Sequence, residues 1–396
     1  MLADLRWDPF DDSLKADPHP LWRRLRDEQP VYWNEQYGFW ALSRYADVDA
    51  GLRDPSTFSS AHGTVLELMT DDPQTGPLMI FLDPPDHTWL RRLVSRAFTP
   101  RRVAELEVAI RDLCRSLLDS KAGQSTFDVV SDYGAIVPAE VIATLLGVPP
   151  QDRHDVRELI DASFHLEPGV GMANDVAGAA WGALSDYLTT QLESRRSTPR
   201  DDMLTDLLNA EYVDDDGCTH RLGVSESAIF ALLLVSAGTE TVARLIGWAA
   251  ALLARHPGQR EAVAADRTLL AGAVEEVLRY ESPSPVQARW TTTDVVCHGT
   301  TIPAGSKVLL LNGSANRDER KFPDADRFDV RRKTDVHLAF GYGVHFCLGA
   351  ALARLEGRIA VEELVARHPH FQVDDRCTVL LSTSTVRGYE HLVLRV

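Results

Sequence analysis

Cysteine is scarce in this chain of 396 residues, and the five present, Cys114, Cys218, Cys297, Cys347 and Cys377, are odd in number and far apart. That pattern excludes a disulfide framework and predicts a reducing compartment. The opening MLADLRWDPFDD has neither a basic start nor an apolar core, so no secretion signal is read there and the chain is expected in the cytoplasm. Unbroken apolar runs are missing too. The best two, AIFALLLVSAG from Ala228 and LIGWAAALLA from Leu245, are split by Thr239, Glu240, Thr241 and Arg244, and a charge at mid-bilayer costs at least ~2.5 kcal/mol. A buried helix without a membrane anchor is expected. Positive charge is in deficit: 41 Lys and Arg stand against 58 Asp and Glu, for a net charge of −17. This disfavours nucleic acid as a partner. No linker or repeat breaks the chain, so residues 1–396 are read as one domain. There is no CxxC pair, nucleophile elbow, phosphate-binding glycine loop or paired dinucleotide-binding glycines, and His368 and His370 flank a proline in what reads as a surface turn.

What is present concentrates in Phe340 to Ala350, FGYGVHFCLGA. Cys347 lies among Gly341, Gly343 and Gly349, and glycine is chosen where the backbone takes positive φ or another group comes very close. A flat, bulky group against this backbone is the expectation. Downstream, Leu352, Leu355, Ile359 and Leu364 recur at helical spacing, which sets Cys347 just before a helix N-terminus, where free N–H groups favour a negative sulfur. A thiolate so placed suits metal ligation, and a single cysteine on a haem iron favours O–O cleavage. The plainer role of a lone cysteine, a small buried hydrophobe, leaves the glycines unexplained.

Phe340, Gly341, Gly343, His345, Cys347 and Gly349 together match FGxGxHxCxG, and from about Pro20 onward the chain resembles the cytochromes P450, the haem-thiolate monooxygenases. The resemblance implies a mainly α fold with a small β region, one helix-rich unit with haem b between a long central helix and the helix after the cysteine loop. It implies Cys347 as iron ligand, with Phe340, Gly341 and Gly349 against the haem. Insertion of one atom of O2 into a hydrophobic substrate is the implied reaction. With no flavin or nicotinamide module fused, electrons from NAD(P)H would arrive through a ferredoxin reductase and a ferredoxin, to a monomer.

Three further motifs fit the resemblance. SAGTET at residues 236–241 interrupts one long helix expected over residues 225–255. An interior helix glycine costs ~1 kcal/mol and a buried acid more. Threonines bonding back to helix carbonyls would be a bland explanation. The resemblance instead implies an oxygen groove at Ala237 and Gly238, with Thr241 steadying bound oxygen and Glu240 relaying protons. Glu276 and Arg279 are spaced as an ordinary exposed helix pair. They match the family's ExxR, a buried pair that holds the cysteine loop, with Arg327 as the implied third member although Ala325 replaces the family's usual proline. His87 and Arg91 lie one turn apart on one helix face after DPP. With Arg289 and His345 they match the positions that neutralise haem propionates, and buried carboxylates do need charge-assisted partners.

The basic stretch of residues 87–102, with Arg92, Arg96, Arg101 and Arg102, is expected to dock an acidic ferredoxin. Pocket walls are expected from residues 62–80, 161–187, 231–237, 285–288 and 382–386, with Leu66, Met69, Met79, Leu234, Val235, Val286 and Thr383 as lining. An apolar lining leaves lipid, terpenoid, steroid and polyketide substrates open. Two other readings remain open at this point: a haem-thiolate sensor, and a relative doing peroxide-driven or coupling chemistry.

Overall fold

The computed structural model describes residues 5–14, 16–73, 78–95, 98, 100–165, 167, 174–214, 216–334 and 336–396. Eight helices position the site: α1 (Tyr45–Arg53), α2 (Asp86–Ser95), α3 (Ile136–Leu145), α4 (Arg153–Ser163), α5 (Asp175–Ser197), α6 (Val224–Arg255), α7 (Leu270–Tyr280) and α8 (Ala350–Arg367). The apolar residues of α6 point all round it, the pattern of a core helix, and it packs against α3, α5, α7 and α8. By length and composition α6 could span a membrane, with a mean hydropathy of 1.7 over its most apolar stretch. Here its flanks are taken by other helices. Its start is fixed by Glu226, whose Oε2 accepts the Gly223 N–H at 2.8 Å.

The largest sheet has five strands, β1 (Val31–Asn34), β2 (Phe39–Leu42), β3 (Phe58–Ser59), β4 (Gln287–Thr291) and β5 (Lys307–Leu310), in the order β1-β2-β5-β4-β3. β2 and β5 run parallel, with Phe39 opposite Lys307, while β4 pairs antiparallel with β5 and β3. Trp7, Trp22, Tyr32, Phe39 and Leu309 form a second core on one face of this sheet. Near the C-terminus, β6 (Val379–Ser382) and β7 (Arg387–His391) form an antiparallel hairpin. α6 contacts β7 directly, so the hairpin reaches the middle of the long helix.

Candidate active site

A cavity of about 420 Å³ opens between α6, α8 and the loop of residues 339–349. One wall carries Cys347, His345, Arg91 and Arg289; Ala237, Gly238, Glu240 and Thr241 of α6 lie on another. Phe340, Gly341 and Gly349 complete the loop side.

The cysteine loop is a turn rather than the start of the helix. The Cys347 N–H donates to the Phe340 carbonyl at 2.9 Å, closing the loop, and α8 begins three residues later at Ala350. The glycines serve different ends. Gly341 and Gly343 have φ of 67° and 69°, but a Cβ on Gly343 would lie 2.5 Å from the Leu52 carbonyl oxygen of α1. Protein backbone, not a ligand, makes the close approach there. Gly349 has nothing within 4 Å of such a Cβ and opens into the cavity. Burial pushes the Cys347 thiol up, against the downward pull of the Gly349 N–H and the charges of Arg91 and Arg354. The charge of a bound metal would oppose that rise and favour the thiolate.

The arginines beside it bond no carboxylate among the described residues. Arg289 is fully buried, its Nη1 donates only to the Ala288 carbonyl at 2.7 Å, and burial lowers its pKa to about 10 against the pull of Asp83. Burial also lowers that of Arg91, and no described carboxylate pairs with it. His87 has neither ring nitrogen bonded and packs 4.3 Å from the His345 ring. Desolvation, with the arginine charges, takes His87 to about 4 and His345 to about 2. Burial and the neighbouring arginines thus work against a proton on either ring, and an anion placed beside them would oppose that effect. Ser60, which belongs to no sequence motif, bonds His345 Nε2 at 3.2 Å.

Behind the loop, Glu276 and Arg279 on α7 are both 0 % exposed and bond bidentately, at 2.7 and 2.9 Å. The bland exposed pair is ruled out. Arg279 Nη1 donates to the Asn316 carbonyl at 2.8 Å, and Asn316 Oδ1 accepts the Leu338 N–H at 2.7 Å. The pair thus reaches the cysteine loop through Asn316. Arg327 is a correction: its side chain is 64 % exposed and turns to Asp329, while Arg332 Nε reaches Glu276 Oε1 at 3.2 Å. Arg327 contributes its carbonyl, which accepts from Arg279 and Arg332. A second brace went unread in the sequence: Glu275 bonds His337 at 3.0 Å and Arg354 at 2.6 Å, and Arg354 lies 4.5 Å over the Phe340 ring. Burial opposes ionisation of Glu275, but those two partners hold its carboxyl down at about 2. Glu356 on α8 is the converse, fully buried with Oε2 unpartnered, so desolvation alone raises it to about 8.

α6 runs as unbroken α-helix through residues 236–241. The Thr239 and Thr241 hydroxyls donate back to the Val235 and Ala237 carbonyls, each at 2.8 Å, the bland arrangement considered for this segment. Thr241 nevertheless lines the cavity, whereas Thr239 is buried away from it. Glu240 Oε1 accepts from Arg244 Nε at 2.8 Å.

Among the expected lining residues, Met79 and Leu234 face the cavity. The rest do not. Leu66, Met69 and Val286 are packed in the second core, and Val235, next in the helix to Leu234, turns into the main core. Thr383 lies in the hairpin turn, its N–H donating to the Val386 carbonyl at 2.8 Å, and Thr385 and Val386 take the lining position. Ile142, Phe164 and Phe230 add bulk to the lining, as do Phe98, Pro283 and Ser284; of these six only Phe164 falls in an expected stretch. Part of the stretches 62–80 and 161–187 lies outside the described residues.

Described arginines of the basic stretch have partners within the chain, Arg101 staying exposed. Arg101 pairs with Glu105, Arg102 with Asp201 and Asp206, and Arg92 bonds the Tyr212 hydroxyl. Arg96 lies outside the described residues. Elsewhere Asp47, Cys297 and His298 bring three donor atoms within 4.8 Å of one another, which the His298–Asp47 ion pair at 2.8 Å accounts for.

The family model of cytochrome P450 matches residues 30–379. The chain belongs to this family. The putative cytochrome P450 123 of Mycobacterium tuberculosis is 41 % identical over 396 residues, covering 99 % of this chain and 97 % of the relative. The vitamin D(3) 25-hydroxylase of Pseudonocardia autotrophica is 41 % identical over 367 residues, covering 91 % and 89 %. Among solved structures, cytochrome P450 CYP109Q5 of Chondromyces apiculatus superposes with a TM-score of 0.88 at 38 % identity, covering 97 % of this chain and 96 % of that one. CYP109E1 of Bacillus megaterium, solved with corticosterone, gives 0.86 at 30 % identity, covering 97 % and 99 %.

This P450 is thus a haem b monooxygenase of the oxidoreductase class. Its cavity fits that group on its own terms. The buried Arg289, the half-buried Arg91 and an unbonded His87, none of them bonded to a carboxylate among the described residues, are what two propionates would satisfy. The half-buried Cys347 sulfur in the same wall offers iron a soft donor.

Proposed function

We propose that this P450 holds haem b through Cys347 and inserts one atom of O2 into a hydrophobic lipid, terpenoid, steroid or polyketide. Electrons come from NAD(P)H by way of a ferredoxin reductase and a ferredoxin, to a single-domain monomer in the cytoplasm. The observation that carries the reading is the placing of Cys347 and the Ala237–Thr241 turn of α6 around one cavity whose Arg91 and Arg289 bond no carboxylate among the described residues. Haem, when bound, supplies the iron at which O2 is reduced and split.

The rest of the work belongs to side chains. Arg91 and Arg289 would supply charge to the propionates, and His87 and His345 would supply hydrogen bonds. Thr241 holds a proton on Oγ1 that the Ala237 carbonyl now accepts, and rotation about χ1 turns it to the cavity. Glu240 has Oε1 committed to Arg244, which leaves Oε2 to pass protons on to Thr241. Phe98, Ile142, Phe164 and Phe230 exclude water around the substrate. The aromatic and branched lining favours a rigid, bulky molecule, and the relatives' vitamin D(3) and corticosterone are of that kind. Val344 and Phe346, exposed beside Cys347 in the loop, would offer the ferredoxin an apolar contact.

The test is a panel of steroids, terpenoids, fatty acids and macrolides screened for the spectral shift that accompanies displacement of water from the iron. Compounds that bind are then turned over with NADPH, reductase and ferredoxin under isotopically labelled O2. One labelled oxygen in the product supports the reading. Product that carries none, or that forms only with added peroxide, overturns it.

A further inference from the structure

Glu240 is tied to more than its own helix. Arg244, one turn along α6, donates to Glu240 Oε1 from Nε at 2.8 Å and from Nη2. Its remaining nitrogen, Nη1, donates to the Tyr389 carbonyl of β7. The guanidinium is buried, at 7 % exposure, so it is a fixed bridge rather than a mobile surface charge.

The hairpin is shaped to receive it. A Cβ on Gly388 would lie 2.4 Å from Arg244 Cδ and 2.8 Å from its Cβ, contacts that side chains do not tolerate. The φ of Gly388 is ordinary, so conformational freedom is not the reason for glycine; the passage of the Arg244 stem is. β7 is held to α6 a second time, by the Trp248 Nε1–H on the Arg387 carbonyl at 3.1 Å. Two and three residues before Gly388, at the turn of the same hairpin, Val386 and Thr385 line the cavity.

A short rigid path therefore joins the substrate wall to the acid. Val386 leads through Gly388 and Tyr389 to Arg244, and from there to the Glu240 carboxylate. We infer that Arg244 is the positioning residue for Glu240, and that the C-terminal hairpin couples the fit of substrate against Thr385 and Val386 to where that carboxylate stands. The inference rests on reading Glu240 and Thr241 as the proton-delivering pair.

Its test is infrared spectroscopy of the haem-loaded, reduced protein with carbon monoxide as the probe, because the C–O stretch reports the field beside the iron and needs no substrate. Glu240→Gln removes the charge and should shift the band. Arg244→Gln and Gly388→Ala should shift it in the same direction, Arg244→Lys by less, and Arg244→Gln should add nothing in a Glu240→Gln background. Val386→Ala should move the band in the parent and not in Arg244→Gln. Gly388→Ala keeps every charge and adds one methyl, so it remains informative if removal of the buried arginine impairs folding. A band that moves with Glu240→Gln but stays put in Arg244→Gln and Gly388→Ala overturns the positioning role. Equal effects of Val386→Ala in both backgrounds overturn the coupling. A band unmoved by Glu240→Gln instead overturns the reading of Glu240 itself.

Discussion

Behind Cys347, side chains are committed to named partners: Glu276 to Arg279 and Arg332, Glu275 to His337 and Arg354, Asn316 to Leu338. The wall formed by Ile80, Phe98, Ile142, Phe164, Phe230, Leu233 and Leu234 is held by apolar contact instead. A buried charge is tolerated only with a particular partner in a particular geometry, whereas one apolar side chain replaces another at little cost. The rear of the site is thus fixed for chemistry and the substrate wall is left free to vary with the substrate.

The comparison breaks first, if it breaks, at Glu276. Glu276→Gln leaves the Arg279 charge uncompensated at 0 % exposure and should cost ~3–5 kcal/mol, seen as a large fall in thermal midpoint and loss of the haem-loaded form. A midpoint within a degree or two of the parent would make the rear wall no more rigid than the front.

Next in size is Glu356. Its carboxyl titrates at about 8 when folded against an ordinary 4.5. The folded state keeps the proton that the unfolded chain releases between those values, so its full stability is present below the unfolded pKa and is lost as pH rises toward the folded one. The slope should approach ~1.4 kcal/mol per pH unit. Glu356→Gln should flatten the decline, as measured by denaturant unfolding at pH 5 and pH 8; an unchanged slope would assign it to other groups.

If Arg289 faces a propionate as proposed, Arg289→Gln should weaken haem retention about tenfold or more, measured by transfer of haem to a scavenging globin. Smallest for the fold is Phe164→Ala. Part-exposed at the cavity, it should change stability by no more than ~1 kcal/mol while shifting ligand affinities severalfold in the spectral screen. A stability loss as large as that of Glu276→Gln would erase the contrast between the two walls.

The same contrast explains what the sequence made legible. Cys347, the glycine-spaced loop and the Glu276–Arg279 pair need particular residue types at fixed spacing, and the mainly α fold follows from the long periodic stretches around them. Arg327 was misread because the site uses its carbonyl, which any residue has, while the side chain that reaches Glu276 comes five positions later. Leu66, Met69 and Val286 look like lining in sequence, but an apolar residue serves a core as well as a pocket, and here the second core takes them. Glu356 and the Glu275 brace carried no spacing signal at all. Their meaning depends on burial, which a linear sequence does not display.

The central claim is that one thiolate, Cys347, makes this cavity a haem monooxygenase site. The most direct measurement is the absorption spectrum of reduced Cys347→Ser with carbon monoxide, beside that of the parent. The thiolate-type band should be present in the parent and absent from the variant, because an alcohol is a far weaker donor to iron. An unchanged thiolate band in Cys347→Ser would place the ligand elsewhere and contradict the account.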